Sequence, residues 1–287
     1  MPGQSRRKPA DEHSGAPPAR PVFTAGPGKA IPQALPDPGN TPIRILTVNI
    51  HKGFSLFNRR FMLHELRDAL RQAAPDVVFL QEVIGADARH EAAVTGWPAL
   101  PHWEFLAETI WGYSAYGRNA VYTHGHHGNA VLSKFPIADF QNHDVSVGDV
   151  ERRGLLHCRI NVPGIGVPVH AICVHLGLRE WQRRQQLRAL CEVASSAVPA
   201  DAPLIVAGDF NDWRGRAHGM LGQGAGLQEA FAWNQGVAAR SFPVYLPLLR
   251  LDRVYCRNVE IDRCRVLSRQ PWSRLSDHAA LCVEGRL

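Results

Sequence analysis

The chain has 287 residues, 45% of them apolar, and a formal net charge of +6. That length supports one large or two small domains with a sizeable core. No apolar run of about 18 residues or more occurs, which excludes a membrane-spanning helix. The charge is mild, +2 from residues 1–42 and +4 from the rest, so it fits nucleic acid or anionic lipid without demanding either.

Residues 1–42 are rich in Pro, Gly and Ala without apolar periodicity, and read as a disordered tail. The globular part runs over residues 43–287. IRILTVNI, from Ile43, is β-branched and apolar, and predicts a strand. Asn58 opens a helical stretch with Phe61, Met62, Leu66 and Leu70 roughly on one face, ended by Pro75. DVVFLQEV, GRNAVY, GNAVLSKFPI, GLLHCRINV and VPVHAICVHL follow as short strands. A long helical run, REWQRRQQLRALCEVASSAV, leads into the strand PLIVAGD. RLDRVYC, RCRVLS and HAALCVEG complete the set. Strands and helices mix without a regular βαβα repeat. The expected fold class is therefore α/β (α+β), two packed mixed sheets flanked by helices. The six cysteines form no CxxC pair and several sit in apolar runs. They read as small buried hydrophobes in a reducing compartment, and no signal-peptide core is visible, so the expected location is cytoplasmic.

The chemistry lies where the apolar runs stop. Six predicted strands carry Asn49, Glu82, His175, Asp209 with Asn211, Asp252, and Asp277 with His278 at or near their ends. Buried polar groups need partners or a wet site. Gathered together, these residues would make one cluster of four carboxylates, two carboxamides and two imidazoles. Oxygen-rich clusters select hard cations such as Mg2+ or Mn2+, and the set suits phosphoester hydrolysis. Singly, each has a plainer reading: a turn residue at Asn49, a core histidine at His175, an Asx-turn at Asp209 and Asn211. In VAGDFNDW, alternation points Asp209 and Asn211 to one side; Asp212 is left as a loop residue and Trp213 as a packing residue.

The blocks TVNIHKG, FLQEV, GNAVLS, VHLGLREWQRRQQL, VAGDFNDW, RLDRVY and SDHAAL resemble, in order, the endonuclease/exonuclease/phosphatase superfamily with its DNase I-like fold. NIHKGF, AYGRNAVY, GHHGNAVLS and HLGLRE are similar to a bacterial branch of it. The resemblance implies a four-layer sandwich and a divalent-metal-dependent phosphoester hydrolase. It implies Glu82 as principal metal ligand, with Asn49 and Asp277 in support. It implies Asp209 as activator of the attacking water, Asn211 as a donor to the transition state, His278 at the scissile phosphate and Asp252 fixing its tautomer. His175 matches a second phosphate-facing position, and Arg118 with Asn119 a phosphate-contacting pair. One departure concerns HGHHGNAVLS: some relatives place a Glu there, whereas here stand His124, His126 and His127, read as a loop, with His127 as an alternative site residue.

The superfamily's substrates are diverse, so fold alone cannot choose among them. Lys52, Arg59, Arg60, Arg118, Arg214 and Arg216 near the motifs favour nucleic acid. FPVYLPLLR, running into Asp252, favours an anionic lipid and peripheral membrane contact if it crowns the site, or mere packing if it lies beneath. Nucleic acid is the first expectation, a lipid head-group phosphodiester the alternative, and a catalytically silent phosphate-binding module the reading from another class.

Overall fold

The structure, a computed structural model, describes residues 40–149 and 151–287. The expected tail thus lies outside the described residues as far as residue 39. In chain order the elements are β1 (Pro42–Asn49), α1 (Leu63–Ala73), β2 (Val77–Asp87), α2 (Ala88–Ala93), α3 (His102–Ala107), β3 (Tyr113–Tyr122), β4 (Gly125–Ser133), β5 (Ile137–Asp144) and β6 (Gly154–Ile160). There follow β7 (Val169–His175), α4 (Glu180–Ser196), β8 (Leu204–Asp209), α5 (Arg216–Ala225), β9 (Gln228–Glu229), α6 (Ala230–Gln235), β10 (Asp252–Arg257), β11 (Glu260–Leu267) and β12 (Ala280–Arg286).

Two six-stranded sheets result, ordered β11-β12-β1-β2-β4-β3 and β5-β6-β7-β8-β10-β9. Each is mixed, with one parallel pair, β1 with β2 and β7 with β8. Alternation along the strands sorts side chains into layers. Ile43 and Ile45 of β1 face the second sheet and meet Ala171, Cys173 and Ile205. Leu46 and Val48 face outward onto Leu63, Leu66 and Leu70 of α1 and Leu106 of α3. On the other side Ile172, Val174 and Val206 pack on Leu187 and Leu190 of α4 and Leu221 of α5. The four layers are therefore helix, sheet, sheet, helix, as expected.

The local departures have physical causes. The helix expected from Asn58 begins at Leu63, because Phe61 bridges back to Phe54 and Phe57 takes a left-handed φ of 61°. GNAVLSKFPI divides into β4 and the start of β5, with Pro136 between them. Helices α2, α3, α5 and α6 are short, ten residues or fewer, and give little periodic signal. All six cysteines are free, five of them buried and Cys191 half-buried.

Candidate active site

The site is where the inter-sheet layer stops being apolar. Stepping by two from Ile43 and Ile45 reaches Thr47 and Asn49. The same step from Ala171 and Cys173 reaches His175, and from Ile205 and Ala207 it reaches Asp209. On β10, Cys256 and Val254 lead back to Asp252. All of these are buried. One level below, Gln81 Nε2 donates to Thr47 Oγ1 at 3.3 Å, and Asn129 Nδ2 donates to the carbonyls of Gly154 and Cys173. This polar tier ties the two sheets together beneath the cluster.

Glu82 enters by a different device. The β2–β4 register shifts between Leu80 and Val83, and Glu82 has φ 55°. This bulge re-aims one side chain next to the site, where such irregularities concentrate. Asn49 Nδ2 then lies 3.2 Å from both Glu82 Oε1 and Asp209 Oδ2, while its Oδ1 accepts the His51 N–H. Burial pushes the Glu82 carboxyl up, but His175, Asn49, Lys52 and His51 together hold it below its ordinary value.

Asp209 is the centre of convergence. Its Oδ2 faces Asn49 Nδ2, His175 Nε2 at 3.6 Å and His278 Nε2 at 3.9 Å. Burial raises its pKa; the His278 charge opposes that rise and the Asp252 charge adds to it. His278 Nδ1 and Asp252 Oδ2 stand 2.8 Å apart, both buried. Burial alone would depress His278, but the Asp252 charge and hydrogen bond overcome it and raise its pKa to about 10. His175 has no such partner, and burial followed by the Arg153 charge lowers its pKa to about 3, so it is neutral. Two imidazoles at one carboxylate thus hold opposite charge states.

Asn211 reaches the cluster differently from the extended-strand expectation. The chain turns at φ 50°, Asp209 Oδ1 accepts the Asn211 N–H, and Asn211 Nδ2 donates to Leu176 O at 2.9 Å. The Asx-turn and the site placement are therefore the same geometry. Asp212, expected as a loop residue, is buried and accepts the Ala217 N–H at the start of α5. Trp213, expected to pack, is 50% exposed beneath the Arg214 guanidinium. Asp277 sits with Oδ1 3.7 Å from His51 Nδ1, and Ser276 Oγ donates to Asn49 O at 2.6 Å, locking the segment before β12 to the end of β1.

Arg118 is not brought into the cluster. On β3, Tyr116 packs outward on the helix side, and alternation sends Arg118, exposed, to that same face. Asn119 has its Oδ1 held by Asn142 Nδ2 at 2.9 Å beside Gly154. The guanidinium that reaches the site is Arg153, which donates to Leu176 O and acts electrostatically on His175 and His127. Its signal was its position at the head of β6, just before Gly154. His127 was also legible, because steps of two from Val131 through Asn129 end on it. Burial, then Lys52, lowers the His127 pKa to about 4. His126 faces the other way, onto Tyr116 Oη at 2.9 Å.

Ligand-type atoms of Asp209, Asp252 and His278 lie within 4.8 Å of one another. Asp252 and His278 are already bonded to each other, so this trio is a hydrogen-bonded relay. Glu82 and Asp277 are the carboxylates of the candidate set left free to hold a hard cation. Among the described residues no protein donor reaches Glu82 Oε2 or Asp277 Oδ2, and the Asn49 hydrogen bond and the Lys52 charge help hold the Glu82 carboxyl below its ordinary value.

Strand ends bearing a polar cluster over two packed mixed sheets define the class. The chain belongs to the Endonuclease/Exonuclease/phosphatase family, whose model matches residues 46–278. It is 53% identical over 241 residues to YbhP of Escherichia coli strain K12, covering 84% of this chain and 95% of that protein. Among solved structures it is similar to D. rerio TDP2 complexed with single strand DNA product, with TM-score 0.66, 19% identity, and 86% and 100% of the two chains covered. It is also similar to the mannosyl-6-phosphatase of Bacteroides thetaiotaomicron VPI-5482, with TM-score 0.64, 14% identity, and 85% and 99% covered. At such identities these two likenesses establish the shared fold alone.

Proposed function

We propose that the protein is a divalent-metal-dependent phosphodiesterase that hydrolyses its substrate by in-line attack of water. The observation that carries this reading is the buried Asp209 carboxylate facing Asn49, His175 and His278. Asp209, whose basicity burial has raised, accepts the proton of the attacking water. The new P–O bond forms as the ester P–O bond opposite it breaks. His278, held by Asp252, donates to the developing charge on the phosphoryl oxygens. The second amide hydrogen of Asn211 and the guanidinium of Arg153 supply further donors. Mg2+ or Mn2+ held by Glu82 and Asp277, with Asn49 fixing the Glu82 carboxylate, would polarise a phosphoryl oxygen.

The first substrate expectation is nucleic acid. The similar fold of TDP2, solved with single-stranded DNA product, supports it, as does the Arg214–Trp213 pair beside Asn211. A lipid head-group phosphodiester is favoured instead by one observation, the apolar hairpin against His278. Six free thiols with no disulfide among the described residues support a reducing compartment. Asp209→Asn tests the mechanism: folding should persist while kcat on bis-p-nitrophenyl phosphate falls roughly 10²–10⁴-fold. Near-normal turnover would remove Asp209 from the role given it. Absence of hydrolysis by the parent protein on any phosphodiester would instead support a silent phosphate-binding module.

A further inference from the structure

Fifteen large apolar side chains are exposed among the described residues, and eight of them lie on the four loops that carry or adjoin Asn49, His175, Asp209 and Asp252. Random scatter would need no explanation, but concentration at one end does. The most built of these loops is residues 241–250. Its ends are clamped by paired backbone hydrogen bonds between Phe242 and Leu249. Its base is fixed by the Phe242 ring 4.9 Å from the His278 ring and by the Val244 N–H on Asp277 O. Its tip therefore cannot fold inward, and presents Tyr245, Leu246 and Leu248 at 63%, 58% and 55% exposure. Leu178 and Trp181 stand out after His175, and Trp213 after Asn211.

The same loops concentrate positive charge. Residues 50–62, 176–181, 210–216 and 241–250 hold seven Lys or Arg against two acids, Glu180 and Asp212. Asp212 is buried, and Glu180 is shared between Arg214 and Arg216. Arg59 and Arg179 have no ion pair among the described residues. Aromatic side chains beside arginines would serve nucleic-acid bases equally well. Exposed leucines would not, because they have no π-face to stack on a base, whereas they gain free energy on entering hydrocarbon.

We infer that this end of the molecule docks on an anionic phospholipid bilayer, with the 241–250 tip inserted at the interface and the arginines on the head groups. The site then opens onto the membrane surface, and this favours the second substrate reading, a lipid head-group phosphodiester, over nucleic acid. This rests on the phosphodiesterase reading for the chemistry, though not for the docking.

Flotation of the full chain with vesicles tests it. The chain should float with phosphatidylcholine–phosphatidylglycerol vesicles, less so with phosphatidylcholine alone, and progressively less as salt rises. The triple variant Tyr245→Ser, Leu246→Ser, Leu248→Ser, with an unchanged circular dichroism spectrum, should lose at least about tenfold in vesicle affinity. Parent chain that stays off anionic vesicles would overturn the inference, as would a triple variant that binds like the parent. So would loss, in the variant, of affinity for a single-stranded oligonucleotide with vesicle binding intact. Docking without hydrolysis of bis-p-nitrophenyl phosphate would sink the catalytic reading alone; hydrolysis without docking would sink this one alone.

Discussion

His175 and His278 illustrate how one buried pocket shifts two proton affinities in opposite directions. Burial drives both groups toward neutrality, and only the partner differs. His278 has the Asp252 carboxylate at 2.8 Å and stays cationic; His175, beside Arg153, has no carboxylate at hydrogen-bond distance and stays neutral. Asp252 has no other assignment than to hold His278, since its second oxygen is buried without a protein partner. The two residues should therefore act as one unit. Asp252→Asn and His278→Ala should each lower kcat, roughly 10²–10⁴-fold for the histidine, and the double variant should cost little more than His278→Ala. Fully multiplicative losses in a double-mutant cycle would show that the pair is independent.

The elements explain which residues were legible. Asn49, His175, Asp209 and Asp252 were readable because each extends a period-two apolar run by one step, so strand parity places them without tertiary information. Glu82 and Asn211 sit at positive φ, where parity fails; their place where apolar runs stop, and then the resemblance of their motifs, marked them as candidates. Arg118 lies outside the cluster for the opposite reason, because alternation from Tyr116 carries it to the outer face just before the β3–β4 register shifts. Arg153 was missed because it precedes the first residue of β6 and so has no alternation to read. Gly208 shows how tightly the frame is held. At φ 147°, an added Cβ would stand 2.0 Å from Val174 O on the paired strand β7. Gly208→Ala should therefore separate β7 from β8 and cost about 2–4 kcal/mol of stability. Urea unfolding measures this; a variant as stable as the parent would contradict the close approach.

At the scale of the molecule, the four-layer order was legible from the mixture of strands and helices, whereas the short helices and the exposed hairpin were not. Exposure is a property of the assembled surface, and FPVYLPLLR reads alike as floor or rim. The structure makes it both, with Val244 buried and Tyr245 out. The outer α1–α3 layer also contains a titratable weak point. His102 is buried, with the Trp97 ring 4.6 Å away and no protein partner for either ring nitrogen, and burial lowers its pKa to about 3. Unfolded, it titrates near its ordinary value of about 6.5. Between these two values the unfolded chain binds the proton and the folded one does not, so stability falls as pH drops through that window. The slope is about 1.4 kcal/mol per pH unit for one such group. His102→Phe should flatten the acid limb of urea midpoints measured between about pH 7 and about pH 5. An unaltered slope would show that His102 is hydrated or charged in the fold.

In the proposed mechanism Glu82 and Asp277 hold a divalent cation for phosphodiester hydrolysis at Asp209. Its most direct test is the rate on bis-p-nitrophenyl phosphate against Mg2+ or Mn2+ concentration, for the parent and for Glu82→Gln, with calorimetric titration of the same ion into both. The expected result is hydrolysis by the parent that EDTA abolishes, and a Glu82→Gln protein that binds the ion more weakly and needs more of it. Hydrolysis that survives EDTA, or equal ion affinity in the two proteins, would contradict it.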